Sequence, residues 1–260
     1  MFCIFMKPYK GYLIDLDGTM YRGTEPIQEA VKFVKVLHER GIPYLFVTNN
    51  SSKTPEQVAQ HLTKFDVPVT NAQVFTTSMA TAAFISQEKQ DASVYVIGGE
   101  GIRQSLTEKG MELVTDSPDY VVVGLDREIT YEKLALGCLA VRGGAKFIST
   151  NGDIAIPTER GLLPGNGSLT SVISVSTQTE PIFIGKPEAI IMEQALAVLG
   201  LPKEDVAMIG DNYDTDITAG LNVGMDTIIV HTGVTTKEML LTMERQPSFA
   251  IQSLSEWEVL

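Results

Sequence analysis

The chain is 260 residues long, 44% hydrophobic and 20% charged, which suffices for one large domain or two modest ones and excludes a disordered, collagenous or coiled-coil protein. Its 20 Lys and Arg stand against 32 Asp and Glu, so the net charge of -12 opposes a nucleic acid polymer as partner and leaves small anions to a local cation. No apolar run approaches the roughly 18 residues of a membrane span, so no membrane association is expected.

In chain order, the first element is a short apolar run from Tyr12 to Leu16 that ends in acid. Ala30, Val31, Val34 and Leu37 then recur at helical spacing up to Gly41, a natural residue to close a helix. A second apolar run spans Tyr44 to Val47. Thr54-Pro55-Glu56-Gln57 announces the next helix with a reciprocal cap and a proline at its first position, and Val58, Leu62 and Phe65 follow on one face. Residues 80–178 differ from their flanks, with apolar runs at Val94 to Ile97 and Tyr120 to Val123, then Gly/Thr/Pro-rich and Ser/Thr-rich stretches. They are read as an inserted domain, with 1–79 and 179–260 forming the core. Pro187 opens a helix carrying Ile191, Ala195 and Leu199 and closing at Gly200, and apolar runs return at Val206 to Ile209 and Thr227 to Val230. Short runs that are apolar throughout fit strands covered on both faces. Alternating with helices, they predict the α/β class: a doubly wound, Rossmann-like parallel sheet with an inserted α/β cap domain.

Four polar segments follow these strands. Asp15-Leu16-Asp17-Gly18-Thr19 puts two carboxylates at a strand end, where open α/β sheets bind ligands. Gly18 permits a sharp exit that brings backbone N–H groups near an anion, although an Asp-Gly pair also makes an ordinary turn. Thr48-Asn49-Asn50 offers a hydroxyl and two amides, donors suited to phosphate oxygens; alone it reads as a loop. Lys186, in Gly185-Lys186-Pro187, can aim a point charge at phosphate, and a cation at a helix start is mildly unfavourable without an anionic partner. Gly210-Asp211-Asn212-Tyr213-Asp214-Thr215-Asp216 gathers three carboxylates, which call for a hard cation such as Mg²⁺ when buried together. Capping of the following helix by Asp214 or Asp216 is the structural alternative.

Other features carry less. Gly98-Gly99-Glu100-Gly101 has Gln104 where a dinucleotide fingerprint starting at Gly99 needs glycine. His38, His61 and His231 are scattered and support neither a triad nor a zinc site. Cys3 and Cys138, the only cysteines, exclude a disulfide framework and an iron–sulfur cluster and suit a reducing compartment. Phe2 to Met6 is too short for a signal-peptide core, so a cytoplasmic location is expected.

Taken together, the four segments resemble, in order, those of the haloacid dehalogenase-like superfamily of phosphohydrolases, over most of the chain. The resemblance implies that Asp15 is the nucleophile, Asp17 the general acid and base, Thr48 with Asn49 and Asn50 the phosphate ligands, and Lys186 the charge balancer. It further implies a Mg²⁺ bound by Asp15, the backbone carbonyl of Asp17, and Asp211, with Asp216 standing behind these ligands or capping a helix. Asp15 and Thr48 are 33 positions apart, too few for a cap domain between them, whereas Thr48 and Lys186 are 138 apart. That later insertion resembles the type II cap of the nucleotide and 4-nitrophenyl phosphatase branch, subfamily IIA. Asn151-Gly152-Asp153 and Pro164-Gly165-Asn166-Gly167 are similar to its cap loop.

The implied activity is Mg²⁺-dependent hydrolysis of a small phosphorylated metabolite, such as a nucleoside monophosphate or a sugar phosphate, and of 4-nitrophenyl phosphate, through an aspartyl-phosphate. Two alternatives stay open: a phosphoryl-transferring mutase, and a non-catalytic phospho-acceptor or sensor. The early gap lacks the small cap typical of such mutases, and Asp17 can return the proton that lets water clear the intermediate. A homodimer is expected from the resemblance alone.

Overall fold

The computed structural model describes residues 7–158 and 160–260; Cys3 and the segment from Phe2 to Met6 lie outside them. The chain divides into two compact units, one of Met1–Thr48, Ala59–Val74 and Lys186–Leu260, the other of Asn49–Val58 and Phe75–Gly185.

In the first unit, five consecutive strands of the sheet run in the order Phe249–Ile251, Asp226–Val230, Val206–Gly210, Gly11–Ile14 and Tyr44–Thr48, paired parallel throughout. Parallel neighbours need crossovers, and the helix Gln28–Glu39 supplies the first by burying Ala30, Val31, Phe33, Val34 and Leu37. The opening strand stops at Ile14, two residues before the end of its apolar run. Asp15 N–H still donates to Ile209 O at 2.9 Å, but Leu16 O turns inward to accept from Thr19, Met20 and Tyr21, which starts a tight loop. A small antiparallel hairpin, Tyr21–Arg22 with Glu25–Pro26, follows.

Pro187 does not open its helix. It follows Lys186 through a cis peptide bond and lies in a turn, and the helix runs over Ala189–Leu199 with Glu188 at its N-cap. The expected cap at Thr54 and Gln57 forms in both directions: Gln57 N–H donates to Thr54 Oγ1 at 3.3 Å and Thr54 N–H to Gln57 Oε1 at 3.0 Å. That helix ends at Thr63, so Phe65 lies beyond it.

The second unit has its own parallel sheet, in the order Ile182–Phe183, Lys146–Ser149, Tyr120–Val123, Ser93–Ile97 and Glu112–Leu113. Tyr95, Ile97, Val121, Val123, Val141, Phe147 and Ile173 form a core cluster within it. The Ser/Thr-rich stretch is helical over Asn166–Thr177, with Thr177 Oγ1 donating back to Ile173 O at 2.8 Å. At Gly98-Gly99-Glu100-Gly101 the helix Glu100–Glu108 begins, and its first N–H groups are met by the chain itself: Gly101 N donates to Ser52 O and Ile102 N to Ser51 O, both at 3.0 Å.

Candidate active site

The acidic motifs of the first unit leave two neighbouring strands at their carboxyl ends. Ile14 lies opposite Ile209, so Asp15 and Asp211 emerge side by side. This is also where the topology reverses. From Gly11–Ile14 the next strand of this run, Tyr44–Thr48, pairs on one side and Val206–Gly210 on the other, the position at which doubly wound sheets take ligands. Carboxylate oxygens of Asp15, Asp211 and Asp216 fall within 4.8 Å of one another, and all three residues are buried.

Lys186, 2% exposed, reaches into this cluster. Its Nζ donates to Asp15 Oδ1 at 2.5 Å, Asp216 Oδ1 at 2.7 Å and Val47 O at 2.9 Å. Burial pulls the ammonium down, but the charges of Asp15 and Asp216 more than offset it and hold Lys186 above the ordinary lysine value. Asp15 is raised well above the ordinary carboxylate value, by burial first and then by the charge of Asp216, with Lys186 pulling the other way. Burial and then Asp216 push Asp211 up to about 6, against the donors Val234 N–H and Thr19 Oγ1 and the Lys186 charge. Three buried carboxylates thus face one ammonium. Their all-oxygen donor set fits a hard divalent cation such as Mg²⁺.

Asp216 spends its oxygens on the protein. Oδ1 takes Lys186 and Thr215 Oγ1, and Oδ2 takes Asn212 N–H at 3.1 Å. The capping expected of Asp214 or Asp216 is shared: Asp216 Oδ2 meets the N–H of Asn212, and Asn212 is the N-cap itself, its Oδ1 accepting Asp214 N–H at 3.0 Å at the start of the π-helical turn Tyr213–Ile217. Asn212 is near enough in sequence to reach that N–H, Asp216 divides its oxygens between Lys186 and Asn212 N–H, and Asp214 is exposed.

Asp17 is exposed, one residue before Gly18, whose φ is +87°. A Cβ on Gly18 would overlap the Asp211 carboxylate, so glycine is required by close approach as well as by backbone conformation. Thr48 is buried at the end of its strand. Asn49 and Asn50 belong to the second unit. There Asn49 Nδ2 donates to Asp153 Oδ1 at 3.2 Å, and Asn50 Oδ1 accepts from Ser52 N–H at 3.0 Å and Lys53 N–H at 2.9 Å.

Thr19 closes the first acidic motif, whereas the other residues that touch this site carry little signal in the sequence. Thr19 Oγ1 donates to Asp211 Oδ1 at 3.2 Å and Val234 N–H to Asp211 Oδ2 at 2.7 Å. Tyr21 packs edge-on to His61, ring centroids 5.0 Å apart, and its phenol is raised by burial and then by the charges of Asp17 and Asp15. The segment from His231 to Thr235 also follows a buried strand, the rule that exposes the acidic motifs, but holds no acid to attract notice.

Residues 12–112 match the family model of haloacid dehalogenase-like hydrolases, and residues 183–257 match a second, HAD-hydrolase-like model. The chain belongs to the haloacid dehalogenase-like hydrolase family. This hydrolase is 67% identical over 252 residues to the 5'-nucleotidase YutF of Bacillus subtilis (strain 168), covering 97% of the chain and 98% of that relative. It is 57% identical over 251 residues to the acid sugar phosphatase of Staphylococcus haemolyticus (strain JCSC1435), covering 96% of the chain and 95% of that relative. Among solved structures, a mutant of the thermostable p-nitrophenylphosphatase from Bacillus stearothermophilus superposes with a TM-score of 0.89 at 59% identity, over 98% of this chain and 100% of that one.

Proposed function

We propose that this hydrolase is a Mg²⁺-dependent phosphatase of small phosphomonoesters, working through a phosphoryl group carried on Asp15. The observation that carries this reading is the buried Lys186 bridging Asp15 and Asp216 beside Asp211 at the switch point of the sheet. A carboxylate nucleophile repels an ester dianion, so such chemistry needs positive charge held in advance. Lys186 supplies one charge. A Mg²⁺ held by Asp15, the Asp17 backbone carbonyl and Asp211 would offset the remaining repulsion.

The residues divide the work. An Asp15 carboxylate oxygen attacks phosphorus as the bond to the leaving oxygen breaks. Asp17 protonates that oxygen, then removes a proton from the water that attacks the aspartyl-phosphate and frees inorganic phosphate. Lys186, Thr48, Asn49 and Asn50 balance the charge on the equatorial oxygens. Asp216 orients Lys186.

The relatives are named for nucleotide, sugar phosphate and p-nitrophenyl phosphate substrates, which share the phosphomonoester and differ in the leaving group. We therefore take the phosphoryl group as what the site recognises, with nucleoside monophosphates and sugar phosphates as the substrate class. The inserted α/β domain is read as a type II cap that sets the choice among them, and the cytoplasm as the place of action.

The test is phosphate release from 4-nitrophenyl phosphate with Mg²⁺ and with EDTA, for the native chain and Asp15→Asn. Metal-dependent release that disappears in the variant supports the reading; equal release from both sinks it.

A further inference from the structure

We infer that Thr232 is a positioning residue for the loop that carries Asp17 and for the Asp211 carboxylate, an inference that rests on the phosphatase reading above. The Thr232 side chain makes one hydrogen bond toward that loop: Oγ1 donates to Gly18 O at 2.7 Å. Its own carbonyl accepts from Arg22 Nε, on the hairpin that closes the same loop. The Gly18 carbonyl, one peptide beyond that of Asp17, is therefore fixed from one side by the hydroxyl, and the far end of the loop is tied to the same residue. Gly18 is buried, so its carbonyl depends on partners within the protein.

The next two residues turn to the metal-binding acid. Gly233 passes so close to Asp211 that a Cβ there would overlap Asp211 Oδ2, and Val234 N–H donates to that same oxygen at 2.7 Å. Thr235 then closes the segment: its N–H donates to Asp211 O at 3.1 Å, its Oγ1 accepts Tyr213 N–H at 2.8 Å, and its carbonyl lies 2.9 Å from His231 Nδ1. One short segment without a charged catalytic group thus grips both acidic loops, and Thr232 is where the grip on the Asp17 loop is made. Losing its hydroxyl would free the Gly18 carbonyl and, through the Gly18 backbone, loosen the Asp17 carbonyl relative to Asp211, the two groups that would converge on one cation.

Thr232→Val removes the donor and keeps the shape; Thr232→Ser keeps the donor and drops a methyl group. Mg²⁺ alone is titrated into each protein by calorimetry, and kcat and KM are measured for 4-nitrophenyl phosphate, with thermal unfolding to confirm a folded state. The expected result is a loss of about tenfold or more in Mg²⁺ affinity and in kcat for Thr232→Val, with KM changed by less than about twofold. Thr232→Ser stays within about twofold of the native chain in all three. Native Mg²⁺ affinity and kcat in folded Thr232→Val overturn the inference, as does a folded Thr232→Ser that fails equally. If the native chain releases no phosphate from any ester, the phosphatase reading falls, and Mg²⁺ titration of the two variants still decides the role of Thr232.

Discussion

Lys186 and Asp216, 30 residues apart in the chain, meet at 2.7 Å with side chains 2% and 1% exposed. The same ammonium holds Asp15 at 2.5 Å, so one cation serves two buried carboxylates. Breaking a buried pair from one side costs more than the pair contributes, because the remaining charge cannot be hydrated. Lys186→Met is therefore expected to lose about 3–5 kcal/mol in urea unfolding near neutral pH. Phosphate release should fall by about 10²-fold or more, since the charge facing the equatorial oxygens is gone. A variant as stable as the native chain would show that the carboxylates around Lys186 do not depend on its ammonium for compensation.

What the sequence made legible follows from how local each signal is. The cap between Thr54 and Gln57 lies within four residues, and the acids at Asp15 and Asp211 follow apolar runs whose burial is plain from composition. The partner of Asp216 was not legible: Lys186 lies 30 residues earlier, with a helix and a strand between, and no local pattern pairs the two turns that carry them. The strand Lys146–Ser149 was hidden because it opens on a lysine and closes on a serine; the buried Ser149 hydroxyl is met by Asn151 O, Thr170 Oγ1 and Asn166 Nδ2. Thr232 and Val234 act through a hydroxyl and a backbone N–H, which any loop offers.

Asp17 and Asp15 should fail differently. On the proposed mechanism, Asp15→Asn would remove the attacking oxygen's charge and stop the first step for every ester. On the same mechanism, Asp17→Asn would remove a proton donor that a weakly basic leaving group such as 4-nitrophenolate scarcely needs, but also the base that activates water. Acid quenching of Asp17→Asn after mixing with 4-nitrophenyl phosphate is expected to trap phosphoprotein, with a burst of nitrophenolate and slow phosphate release. Alkyl phosphates should lose more in the first step than the aryl ester does. Equal losses with both ester types and no trapped phosphoprotein would remove Asp17 from the proton-transfer role.

Gly18 bears two constraints at once. Its φ of +87° is strained for any other residue, and a Cβ would overlap the Asp211 carboxylate. Gly18→Ala is expected to cost about 1–3 kcal/mol from the backbone alone. The displaced Asp211 should also raise the Mg²⁺ concentration needed for half-maximal activity, by about tenfold or more. Urea unfolding and a Mg²⁺ titration of activity check the two effects separately. A variant that loses stability but keeps its Mg²⁺ dependence would mean that Asp211 moves aside without cost to the site.

The raised carboxylates set a pH dependence with a definite sign. Asp211 stands at about 6 against an ordinary 3.8, so the folded metal-free chain holds its proton more tightly than the unfolded chain does. This contribution to stability is complete below the ordinary value and is lost as pH rises through about 6. A shift of that size corresponds to roughly 3 kcal/mol at most, and Asp15, raised by the same burial and by its neighbours' charge, acts in the same direction. On the proposed assignment, a divalent cation would take the place of those protons and require the ionised acids. The rise in Tm that Mg²⁺ produces over EDTA is therefore expected to be several degrees larger near pH 7.5 than near pH 5. Thermal unfolding in the four conditions measures it, and a rise that is equal at both pH values, or larger at the lower one, would contradict the assignment of Asp15 and Asp211 to a shared cation.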